Sequence, residues 1–190
     1  MKPPIRKSIR LKEYDYTQNG AYFITICTSN REPWLSKIVG GGFQSLPLGY
    51  AAPQIELTPI GLEVERTIEY VSFHNENVII EKFVIMPNHI HMMVFLNSGM
   101  FLGGHGNPPL LNSGKLSDEN GNPSLHTVIG QLKSYTTKQF NMINNTKYQT
   151  LWQRSYHDHI IRDEQDYEQI WQYIDENPLK WAQDCYYTGS

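Results

Sequence analysis

Residues 78–96 read VIIEKFVIMPNHIHMMVFL. β-Branched and aromatic side chains dominate 78–86, Pro87-Asn88 is a turn signal, and 89–96 is a second apolar run. The stretch predicts two antiparallel strands joined as a hairpin, since neither run is long enough for a helix of ordinary length. Side chains at i and i+2 of a strand leave on the same face, so His89 and His91 project together while Ile90 faces the other way. Two imidazoles held side by side on a rigid strand form half of a divalent-metal site. The alternative is two unrelated histidines, one at the start of the strand and one hydrogen-bonded in the core.

Outward from this hairpin, AYFITICT (21–28) reads as another strand. Thr58-Pro59 supplies a cap and a first-turn proline for a helix whose apolar positions are Ile60, Val64, Ile68 and Val71. Ser124 caps a second helix with an inner face of Leu125, Val128, Ile129, Leu132, Thr136, Phe140 and Ile143. DHIIR (158–162) is a short strand, and Asp163 caps a last helix through about Glu176. Pro178 ends that helix, because a residue before proline is pushed out of the helical region. The order is β-α-β-β-α-β-α. Its first six elements predict an α+β, ferredoxin-like fold, an antiparallel sheet with two helices on one face, and the C-terminal helix is additional.

Two Gly- and Pro-rich segments, 39–53 and 97–124, read as surface insertions, the second longer than an ordinary loop. A hydrophobic content of 39% with 18% charged residues belongs to a globular chain able to bury a core, and excludes the disordered and collagenous classes. No run reaches the length of a membrane span, and the N-terminus lacks the apolar segment of a secretory signal. Cys27 and Cys185 are too far apart in sequence for a CxxC metal site and are expected as free thiols of a reducing compartment. Five of the 16 basic residues, with no acid among them, fall in residues 1–12. The rest of the chain carries 11 basic residues against all 19 acidic ones. An acidic body with a basic arm does not coat DNA generally, but it permits a local nucleic-acid contact at the arm.

The last helix has chemistry on its flank. At about 100° per residue, Tyr167, Ile170, Trp171 and Ile174 form one apolar stripe that must face the domain. Tyr173 lies at the border of that stripe and Asn177, four residues on, lies on the same side and closer in. A carboxamide oxygen is a hard ligand that suits Mg²⁺ or Mn²⁺ beside two histidines. A rival histidine pair, His157 and His159, has the same spacing of two, but Asp158 lies between them, a pattern an edge strand tolerates.

The combination resembles a known family. PNHIHMMV and LWQRSYHDHIIRDEQDYEQIWQYIDENPLKW (151–181), in a ferredoxin-like order, resemble the HUH single-tyrosine transposases and, within them, the REP-associated tyrosine transposases. The resemblance spans roughly residues 8–181, interrupted by the two insertions. It implies one catalytic domain over 13–181, preceded by the arm at 1–12 and followed by a tail at 182–190. It further implies His89, His91 and Asn177 as ligands of Mg²⁺ or Mn²⁺, with Tyr173 as a nucleophile that cleaves single-stranded DNA at palindromic hairpins through a 5′-phosphotyrosine. The expected partners are such hairpins, the assembly a monomer or homodimer, and the location a bacterial cytoplasm near the nucleoid. Arg6, Lys7 and Arg10 are candidates for the hairpin stem. Lys133, Lys138 and Arg154 are candidates for phosphate contacts, against the plainer reading of solvated surface. Trp152 and Tyr156 precede the last strand and are candidates for stacking on a base, with core packing the stronger reading for Trp152. The competing functions are a palindrome-binding protein without catalysis and a phosphodiesterase that uses water.

Overall fold

The computed structural model of the chain describes residues 20–40, 53–75, 77–96 and 123–187. Arg6, Lys7, Arg10 and most of both predicted insertions lie outside them. The elements run β1 (Gly20–Cys27), β2 (Ser36–Val39), β3 (Gln54–Leu57), α1 (Pro59–His74), β4 (Val78–Ile85), β5 (His89–Leu96), α2 (Leu125–Ile143), β6 (His157–Ile161) and α3 (Glu164–Glu176). Short 3₁₀ turns cover Ser29–Arg31 and Trp181–Gln183.

β4, β5, β1 and β6 form one sheet in that order, every neighbouring pair antiparallel. This is the strand order of the ferredoxin-like arrangement, with β6 an edge strand. One face, with Tyr22, Ile24, Ile26, Ile90, Met92 and Val94, packs against the buried stripes of α1 and α2. The caps expected at Thr58, Ser124 and Asp163 all form, each side chain accepting a backbone N–H three residues on. Ile143 departs from its expected place in the α2 stripe and is exposed, because the helix ends there beyond the edge of the core. Thr136 is on the stripe for a polar reason: its hydroxyl accepts the Trp152 indole N–H at 2.8 Å inside the core. Trp152 and Tyr156 are both buried, so neither presents a ring to a base.

The opposite face of the sheet holds the second cluster, with Val84, Met86 and Met93 packed on Ile170 and Ile174 of α3. A β-bulge decides how α3 docks. The register of β4 against β5 slips between Ile80 and Lys82, leaving Glu81 as the extra residue. Without the slip, Lys82 would share the face of Ile80; with it, Lys82 comes onto the α3 face. There its Nζ reaches Asp175 at 2.6 Å and lies 3.9 Å from the centroid of the Trp171 ring. The hairpin of β2 and β3, unforeseen in the sequence, flanks the first insertion and adds Ile38 and Ile55 to this second cluster. Its four-residue strands are too short to stand out by periodicity.

Backbone proximity at one glycine sets a sharp test of this packing. A Cβ on Gly61 would stand 2.0 Å from the Leu35 carbonyl oxygen, whereas one on Gly130 would meet nothing within 4 Å. Gly61→Ala is expected to destabilise the protein by about 3 kcal/mol or more. Gly130→Ala, on an exposed part of α2, is expected to stabilise it by about 0.5–1 kcal/mol. Urea denaturation of the two variants beside the parent measures both.

Candidate metal centre

β5 begins with the histidine pair, and its burial is complete: His89 and His91 both lie inside the α3 face with their rings 4.5 Å apart. The turn residue before them orients the first ring. Asn88 Nδ2 donates to the carbonyls of Arg31 (3.2 Å) and Tyr186 (2.8 Å), which fixes which end of the carboxamide is oxygen. Asn88 Oδ1 therefore accepts from His89 Nδ1 at 2.9 Å, and His89 Nε2 is left with its lone pair. That Nε2 is buried and has no hydrogen-bond partner. The His91 ring is oriented by Thr25 on the neighbouring strand, whose Oγ1 lies 2.8 Å from His91 Nδ1. Ring tautomers selected by such partners are the usual support of histidines that bind metals.

Tyr173 and Asn177 approach from α3. Tyr173 Oη is 3.4 Å from His91 Nε2, and its ring is T-shaped against Phe23, which stacks on His91. The tyrosine is 41% exposed, a border position between core and solvent. Asn177 is only 3% exposed. Its backbone corrects the expectation drawn from Pro178: φ −56° and ψ −43° are helical, so the turn that carries it is intact. The Asn177 N–H takes the Ile174 carbonyl that residue 178, a proline, cannot use. Asn177 Nδ2 donates to Asp184 Oδ2 at 3.2 Å, and Asn177 Oδ1 is buried without a partner.

Asp184 was missed by sequence reasoning, which ended the domain at residue 181. After α3 the chain turns through Trp181–Gln183 and lays Asp184 and Tyr186 against the histidines. Asp184 Oδ2 is 3.9 Å from His89 Nε2, and ligand atoms of His89, His91 and Asp184 all lie within 4.8 Å of one another. Arg31 holds this segment, donating to the Cys185 carbonyl and lying over the Tyr186 ring. Asn30 and Arg31 both adopt left-handed backbone, φ 55° and 58°, a conformation costly for arginine. A sole aspartate in an irregular tail has no periodicity to announce it; the only signal was its closeness in sequence to Asn177.

The electrostatics suit a cation. Burial holds both imidazoles neutral: His91 is pushed down to about 3, and His89 falls well below the usual histidine value, with His91 and Arg31 adding to the burial. Neutral imidazole is the form that binds metal. Burial, with Asp184 and then Cys185 adding to it, pushes the Tyr173 phenol up to about 12, partly countered by the Asn177 side chain. Two imidazole nitrogens, a carboxylate and an orphaned carboxamide oxygen fit a divalent ion, and the His89–His91–Asp184 group can hold one. Among the described residues it is the one such group of three.

The remaining predicted residues fall elsewhere. The rival His157 and His159 are exposed on β6, and His159 Nε2 is bound to both Asp166 oxygens at 2.8 and 3.1 Å. Lys133 Nζ donates to the carbonyls of Gln153 and Arg154, so it braces the chain ahead of β6. Lys138 and Arg154 are exposed. Cys27, paired in register with His89, is a buried free thiol raised by burial to about 11, and Cys185 is an exposed one.

Comparison with known proteins places the fold and the family. The fold is that of a REP-associated tyrosine transposase whose structure is known bound to a REP hairpin: TM-score 0.50 at 19% identity, over 92% of this chain and 76% of that one. No family model matches the chain. An uncharacterized protein of Haemophilus influenzae is 34% identical over 184 residues, 96% of this chain and 93% of its own length, and the chain belongs to one family with it. No helix among the described residues is long and apolar enough to cross a membrane.

The buried neutral histidines make a pH test available. Their folded pKa values lie below the unfolded value of about 6.5, so on acidification the unfolded chain takes up protons first. Stability of metal-free protein in chelator is therefore complete above about pH 6.5 and falls progressively below it. Melting temperatures between pH 7.5 and 5 are expected to decline, with a smaller decline in the His89→Asn/His91→Asn double variant.

Proposed function

We propose that the protein is a metal-dependent single-stranded DNA endonuclease and strand transferase of the REP-associated tyrosine transposase type, acting at palindromic hairpins. The observation that carries this reading is the approach of Tyr173 Oη to 3.4 Å from His91 Nε2, on the solvent rim of a site with two orphaned ligand atoms. A hydrolase that uses water has no need of a tyrosine there.

In this mechanism His89 and His91 would hold the ion through Nε2, with Asn177 Oδ1 as the third protein ligand and Asp184 beside it. Mg²⁺ or Mn²⁺ there would supply positive charge to the phosphoryl oxygens and would favour the tyrosinate. Tyr173 gives up its proton on the exposed side and attacks phosphorus. A new bond forms between its oxygen and the 5′-phosphate, the bond to the 3′ oxygen breaks, and that oxygen leaves as a 3′-hydroxyl after taking a proton. The phosphotyrosine conserves the phosphodiester energy, so a second 3′-hydroxyl reseals a strand without ATP. Phe23, wedged against both His91 and Tyr173, keeps the nucleophile in line with the ligands. The basic arm with Arg6, Lys7 and Arg10 grips the hairpin stem, and Lys138 and Arg154 add phosphate contacts. Lys133 is better used as the brace already described.

A labelled single-stranded hairpin incubated with protein and Mg²⁺ or Mn²⁺ is expected to yield an adduct that survives boiling in detergent. Cleavage with two free ends and no adduct would identify water as the nucleophile and sink the transposase reading; binding without cleavage would leave the palindrome-binding one. Tyr173→Phe is expected to abolish the adduct with metal affinity kept. His89→Ala and His91→Ala are each expected to slow cleavage by roughly 10²–10³, and Asn177→Ala to be partly rescued by excess Mn²⁺. Removing residues 1–12 is expected to weaken hairpin binding and to flatten its salt dependence.

A further inference from the structure

The histidine pair on β6 is not used by the chemistry above, and its two members differ. His159 is tied to Asp166 in the first turn of α3, so it joins the edge strand to the tyrosine helix. His157 is exposed and has no side-chain partner among the described residues. Its place is set by register. Thr25 pairs with His91 on one side and with His157 on the other, so His91, Thr25 and His157 stand in one row on one face. At neighbouring strand spacings of about 4.8 Å, His157 is about 10 Å from His91 across that row.

The surroundings leave this direction open. α3 makes its main sheet contacts with β4, on the far side of β5. The segment from Trp181 to Tyr186 covers His89 at the end of the sheet. Tyr173, by contrast, is partly exposed and both β6 histidines are exposed. Charge around the strand is mixed and leaves the choice to geometry: Arg154 and Arg162 flank β6 and are exposed, Asp158 lies between the two histidines and so on the other face of the strand, the Asp166 carboxylate is bound by His159, and the Asp163 carboxylate caps α3. An imidazole N–H on such a surface is a phosphate donor that needs no other partner from the protein.

We propose that His157 contacts the phosphate next to the scissile one, so that the single-stranded flank of the substrate leaves the metal centre across β1 and β6. This rests on the single-stranded DNA reading and deepens it by giving the strand a direction. His157 is then a binding residue and takes no part in bond making or breaking.

The test compares two oligonucleotides on full-length Tyr173→Phe protein, which binds without turnover: a hairpin carrying its single-stranded flank, and the same hairpin with the flank trimmed. Adding His157→Ala is expected to weaken binding of the flanked hairpin about five- to tenfold and to leave the trimmed one unchanged. His157→Lys, which puts a permanent cation at the same place, should restore binding of the flanked hairpin and steepen the slope of log affinity against log salt by about 0.7, the share of one single-strand phosphate. With Tyr173 intact, His157→Ala should raise KM and spare kcat. Equal loss on both hairpins, or no loss on either, overturns the assignment. Absence of any adduct from the Tyr173-containing protein would instead refute the transposase reading, and the binding comparison would still decide the role of His157.

Discussion

The side chain of Asn88 is the joint on which the site depends. Its oxygen takes the His89 Nδ1 hydrogen, and its amide donates to Arg31 on one side and Tyr186 on the other. Its backbone carbonyl accepts both the N–H and the hydroxyl of Thr28. The Asn88 side chain is fully buried, where an unmatched polar atom costs about 1–3 kcal/mol. One carboxamide thus closes the hairpin, selects the tautomer that frees His89 Nε2, and fastens the segment that brings Asp184 in. A residue read from sequence as turn punctuation is also the part that prepares a ligand.

The second constraint is the route by which the tyrosine reaches the histidines. A single extra residue in β4 changes the face on which Lys82 lies, and Lys82 then holds Trp171 and Asp175 of α3. The apolar stripe seats the helix on the sheet, and its flank is left to carry Tyr173 and Asn177. Burial works in opposite directions on the two kinds of group: it lowers the pKa of the imidazoles, which stay neutral, and it raises that of the phenol, which stays protonated.

The order of the six ferredoxin-like elements was legible in the sequence because each is long enough to show its period or carries a cap, as at Thr58, Ser124 and Asp163. The HxH pair was legible because strand geometry alone puts both rings on one face. The four-residue β2 and β3 were not, being too short for a period and separated by a glycine-rich segment. Asp184 was invisible for a related reason: it belongs to no repeating element, and only the turn after Asn177 carries it back. Pro178 marked the end of the helix at Glu176 as expected, but the reason drawn from it did not hold at Asn177, whose backbone stays helical. The pre-proline rule is a preference, and the bond from Asn177 N–H to Ile174 together with the Asn177–Asp184 contact outweighs it here.

The histidines, the aspartate and the tyrosine all meet within one polypeptide, on a helix docked to its own sheet. In this structure every part of the group comes from the same chain, so bringing the parts together belongs to folding and carries no separate loss of translational freedom.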